Sequence, residues 1–160
     1  MMTNSTAESV YPGSLERLHG HRLSSLFVCS DGGRSESKRP KQRNDCTVIA
    51  LALSTGTAYD IAYDYLAERG RKCSQGAFFP NRAADDEALF HTFKWVPLPA
   101  VKGERRMNPY KFCLENPEGR YVLKTARHVI AVVDGKILDT LEPYPRRCVY
   151  GYWEVQRKIG

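Results

Sequence analysis

The sequence has no stretch long enough to cross a bilayer: its longest aliphatic run covers only residues 48–53, against the about 20 apolar residues a spanning helix needs. Its start, Met1-Met2-Thr3-Asn4-Ser5, lacks the basic-then-apolar order of a secretory segment. Cysteine is sparse and unpatterned. Cys29, Cys46, Cys73, Cys113 and Cys148 are odd in number and widely spaced, with no C-x-x-C pair and no Cys/His cluster at zinc-finger spacing. This argues against a disulfide scaffold and a structural zinc site. His19 and His21 stand two apart but have no carboxylate or thiol nearby to complete a metal site. The expectation is a monomeric cytoplasmic protein without membrane contact, cofactor or metal.

At 160 residues the chain suits one domain with a core that needs no staples. The formal charge of +6 invites a nucleic-acid reading, but the basic residues cluster outside the probable core. Residues 1–41, rich in Ser, Gly and Arg, read as a flexible basic extension before a domain over 42–160, with at most a short ordered piece over 15–29. Arg34, Lys38, Arg39, Lys41 and Arg43 against Glu36 give 5 − 1 = +4 over ten residues. Such a run is a solvated linker or an arm making weak nucleic-acid contact. A second basic flank, Arg105, Arg106, Arg146 and Arg147, either favours an acidic peptide or keeps the protein soluble.

Asn44-Asp45-Cys46 precedes the apolar run, and this order predicts a buried helix whose first turn is capped by Asn44 or Asp45. Gly56 ends it, and Thr57-Ala58-Tyr59-Asp60 restarts a second helix in the manner of a capping box. A loop over 71–80 follows, then a third helix over 81–91, a strand over 93–98 and a short helix opened by Asn108-Pro109. Beyond Gly119 the period becomes that of strands: 120–125, 128–133, 136–140 and 148–156, with Asp134-Gly135 as a hairpin turn. Helices followed by an antiparallel sheet define the α+β class.

Cys46 at a helix start sits at the positive end of the macrodipole, where a thiolate is favoured over a thiol. The competing reading is an ordinary buried cysteine. Across the hairpin, His128 lies diagonal to Asp139, about 7–8 Å between backbones, close enough for an imidazole–carboxylate pair. One titratable residue opens a strictly apolar strand and its only plausible partner ends the next. A general base needs that pairing, because the carboxylate orients the ring and stabilises the imidazolium.

A cysteine opening an early helix and a His and Asp on adjacent strands of a later sheet resemble the papain-like cysteine peptidases. Within that family they look most like the compact bacterial and phage branch that includes bacteriocin-leader-processing peptidases. The matching elements run from Gln42 to Thr140. The resemblance implies Cys46 as nucleophile, His128 as base and Asp139 as its orienter. It further implies an oxyanion donor upstream of the cysteine, with Gln42 as candidate, Asn44 in reserve and the Cys46 backbone N–H as second donor. Two positions depart from the family pattern: Gln42 lies four residues before the cysteine rather than six, and Thr47 replaces the usual glycine. The function expected is peptidase or amidohydrolase chemistry by acyl transfer on a peptide or protein. The alternative is an inactive papain-like module that docks nucleic acid or an acidic protein through its basic N-terminal segment.

Overall fold

The computed structural model describes residues 23–39, 42–80 and 87–158. A short 3-10 turn at Leu23–Leu26 leads into strand β1 (Phe27–Cys29), followed by helices α1 (Cys46–Thr55) and α2 (Tyr59–Glu68). Strands β2 (Glu87–Ala88) and β3 (His91–Pro97), helix α3 (Pro109–Glu115) and strands β4 (Arg120–Thr125), β5 (His128–Val133), β6 (Lys136–Asp139) and β7 (Gly151–Arg157) complete the chain. The class is α+β, with one seven-stranded sheet in the order β1-β6-β5-β4-β7-β3-β2. Among the described residues no helix is long and apolar enough to cross a membrane.

Helix α1 is apolar on almost every side, and Thr47 through Ala52 are all buried. A helix of that composition needs cover all round. The sheet supplies one side, through Val122, Val129, Ala131, Trp153 and Val155, and α2 supplies another through Tyr59, Ala62 and Leu66. Strand alternation sends the intervening residues to the opposite face. There Leu123, Ile130, Val132 and Ile137 pack with Tyr110 and Phe112 of α3. Because α1 and β5 press together at the centre, the start of the helix and the start of the strand come to one end of the core.

The turn chemistry explains the hairpin. Asp134 and Gly135 take φ of 48° and 74°, the left-handed pair of a two-residue turn whose twist matches the strands. The register follows, with Val133 opposite Lys136 and Ala131 opposite Leu138. Gly151 has a packing reason, since a Cβ there would lie 2.4 Å from the Trp95 ring, which stacks on Trp153 at 4.7 Å between centroids.

Several expectations need correction. The sheet is mixed rather than antiparallel, because β1 pairs with β6 in parallel, Phe27 opposite Ile137 and Cys29 opposite Asp139. The described part of the short piece allowed over 15–29, residues 23–29, therefore belongs to the fold, and so do residues 30–39, assigned by composition to a flexible extension. Loop 31–37 also packs on the helices, where a Cβ on Gly32 would meet Ile49 at 3.3 Å. The third helix expected over 81–91 is a β-hairpin at its described end: Ala88 pairs with His91 around Leu89-Phe90, and residues 81–86 lie outside the described residues. Neither proposed cap accepts a first-turn N–H with its side chain. Asp45 precedes α1 without a side-chain cap bond because its carboxylate is taken by Arg34 at 3.1 Å and by the Tyr59 hydroxyl at 2.8 Å. Ala58 precedes α2 equally uncapped, and Thr57 pairs with Thr55 instead. The short helix α3 does carry its cap: Asn108 Oδ1 accepts from the Lys111 N–H at 2.9 Å.

Candidate active site

The half-buried Cys46 thiol opens α1, and the half-buried His128 ring opens β5 beside it. His128 Nε2 meets Asp139 Oδ2 at 2.7 Å, with the carboxylate only 6% exposed at the end of β6. That leaves Nδ1 as the ring nitrogen free of the carboxylate, and the ring lines the same cleft as the thiol. The Asp139 carbonyl in turn accepts from the Ser30 N–H at 2.8 Å, so β1 braces the strand end that carries the acid. Cys46, His128 and Asp139 are thus brought together.

The electrostatics follow from these contacts. Burial opposes the Cys46 thiolate, yet the His128 ring, the Val129 N–H and the imidazolium charge together hold the thiol below its ordinary value. The Asp139 hydrogen bond, then that of Cys46, push His128 up to about 9 against the opposing pull of burial. Around neutral pH both shifts favour a thiolate–imidazolium pair, the reactive form of a cysteine nucleophile.

Gln42 and Asn44 are placed elsewhere, which corrects the oxyanion expectation. Gln42 is buried, its Nε2 donating to Cys73 Sγ at 3.4 Å and its Oε1 accepting from the Ser74 N–H at 3.2 Å. Asn44, with φ of 52°, donates from Nδ2 to the Ser74 carbonyl at 3.1 Å. Both side chains clip loop 73–77 to the segment before α1, and neither lines the cleft beside Cys46. Thr47 adds a third clip, its hydroxyl donating to the Ala77 carbonyl at 2.7 Å.

The cleft encloses about 290 Å³ between the clipped loop, Gly76 to Phe78, and the β4–β5 end, where Lys124, Arg127, His128 and Val129 line it. The sequence reading missed Lys124, Arg127 and Phe78. A signal existed for Lys124, which shares the β4 parity of Val122 and so lies on the α1 face. Arg127 gave none, because Ala126-Arg127 does not look like a tight turn; Arg127 nevertheless adopts φ of 57°.

Two of the five N-terminal basic residues are engaged. Arg34 pairs with Asp45, and Arg39 pairs with Asp60 at 2.7 Å and with Asp64. Lys38 and Arg43 are exposed, whereas Lys41, like His19 and His21, lies outside the described residues. Compared with known proteins, the chain matches no family model, no curated protein and no solved structure.

Proposed function

We propose that this chain is a cysteine hydrolase of the papain-like kind, acting in the cytoplasm on an amide bond of a peptide or protein by acyl transfer. The observation that carries the reading is the His128–Asp139 hydrogen bond set beside the Cys46 thiol in the lining of an open cleft. In the first step the Cys46 thiolate attacks the carbonyl carbon. The carbon–nitrogen bond then breaks as His128 hands its proton to the leaving amine. A thioester on Cys46 remains. Water, deprotonated by His128, attacks it, and the carboxylic product departs with return of the thiolate. Oxyanion stabilisation falls to the first-turn N–H groups of α1, Cys46 first, since these have no intrahelical acceptor.

The alternative, an inactive module that docks nucleic acid or an acidic protein through Arg34, Lys38, Arg39, Lys41 and Arg43, draws less support. Two of those five cations already meet acids of the same chain.

A generic activated ester tests the reading without knowledge of the substrate. With p-nitrophenyl acetate, a burst of nitrophenolate followed by slower turnover, and an acetyl group on Cys46 by mass spectrometry, are expected. Cys46→Ala should abolish both. Absence of a burst, or acetylation spread evenly over the exposed cysteines, would overturn it.

A further inference from the structure

We infer that the cleft beside Cys46 selects a peptide bearing an acidic side chain next to the scissile bond, with Lys124 and Arg127 as the selecting residues. The inference rests on Cys46 being the nucleophile. It starts from charge. The cleft lining contains two cations besides His128 and no carboxylate. Other arginines near the core have found partners within the chain: Arg34 and Arg39 meet acids, Arg120 meets the Leu53 carbonyl at 3.0 Å, and Arg147 meets Thr125 and Ala126. Among the described residues, Lys124 and Arg127 take part in no ion pair.

Their placement is fixed by the backbone. Lys124 pairs with Val129 and Gly151 inside the sheet, and it is half-buried on the face that α1 covers. Arg127 sits in the left-handed region, a conformation unfavourable for a non-glycine residue. Arg147 holds that turn closed, its Nε donating to Thr125 Oγ1 and its Nη2 to the Ala126 carbonyl, both at 3.0 Å. A turn fastened in this way fixes the backbone position from which the Arg127 side chain enters the cleft lining.

The remaining walls suit an apolar stem. Ala77, Val129 and the Phe78 ring, 79% exposed, face the cleft. A glutamate side chain combines that stem with an anionic tip. Beyond Phe78 a second cavity of about 310 Å³ continues the basic lining with Arg69 and Arg71. Arg71 is 7% exposed, and its Nε and Nη1 have no hydrogen-bond partner among the described residues. The Arg71 charge adds to the positive potential on that side of Phe78.

Matched alkylating reagents test the selection. Iodoacetate carries the anion and iodoacetamide does not, and the ratio of their rates at Cys46 can be read peptide by peptide at pH ~6, with Cys29 and Cys148 as internal references. The ratio at Cys46 should exceed that at the references. It should fall about fivefold in Lys124→Gln/Arg127→Gln, and also in salt, which screens exposed charge. Lys102→Gln/Arg105→Gln removes the same net charge from residues outside the cleft lining and should leave the ratio unchanged. An unchanged ratio in the cleft variant, or an equal fall in the control, overturns the inference while leaving the nucleophile intact. A Cys46 no faster than the references with either reagent overturns the nucleophile, and the selection with it.

Discussion

Cys46 and Cys73 are both held below the ordinary thiol value, but by different means. Cys73 is exposed in a loop, and the Gln42 amide and Ser74 hydroxyl lower it through hydrogen bonds. Cys46 is half-buried, so burial works against its thiolate, and the His128 ring beside it overcomes that opposition, in part through its charge. A neutral donor stabilises a thiolate that water already solvates. A charged partner fixed by a carboxylate stabilises one that water reaches poorly, and it also carries a proton to pass on. Only the second arrangement contains a base.

His128→Ala should separate the two thiols most. Without the ring, burial at Cys46 is opposed only by lesser contacts and the thiol rises, so its alkylation at pH ~6 should fall more than about tenfold while Cys73 keeps its rate. Equal slowing of both would mean a global disturbance instead. Ester turnover should fall further still, by about a thousandfold or more, because base and acid are lost together.

Asp139→Asn comes next. It leaves the ring but removes its main support, so the His128 value drops from about 9 and the basic limb of the labelling profile moves to lower pH. A profile that stays in place would remove Asp139 from the unit. The same pair sets a pH dependence of stability. Since the folded His128 lies above its ordinary 6.5, its contribution is fully present below that value and is lost as pH rises through about 9. With the opposite contribution of the Cys46 thiol removed, the denaturant midpoint of Cys46→Ala should therefore decline over that window more than that of Cys46→Ala/His128→Ala.

The smallest effect sharpens the comparison from the other side. Gln42→Ala should slow alkylation of Cys73 by a few-fold and change ester turnover at Cys46 little, because the amide grips the loop rather than lining the cleft. A hundredfold loss of turnover would restore Gln42 as an oxyanion donor.

What the sequence made legible was local. Asp134-Gly135 names its turn by chemistry, and strands β4 and β5 have the bounds expected between Gly119 and that turn. With the register set, His128 and Asp139 had to meet. The turns at Leu89-Phe90 and Ala126-Arg127 stayed hidden because Leu89, Phe90 and Arg127 take positive φ without being the residue types that advertise it. Asp45 looked like a cap because its competing partners, Arg34 and Tyr59, are eleven and fourteen positions away. Spacing likewise said that Gln42 precedes the cysteine, but not that a loop thirty residues on would take its amide.

The pairing of β1 with β6 has a consequence in time. The Cys29 thiol reaches the Thr140 carbonyl across a sequence separation of 111 residues, and contacts of such span form slowly because a large loop must close first. On a ribosome, which releases about 5–20 residues each second, β1 emerges early and waits several seconds for its neighbour. The strand end bearing Asp139 therefore acquires its brace late, after the hairpin and the helix it faces are available. A nascent chain would hold Cys46 before it holds a fully braced triad, so reactivity at the thiol should mature only once synthesis has passed β6.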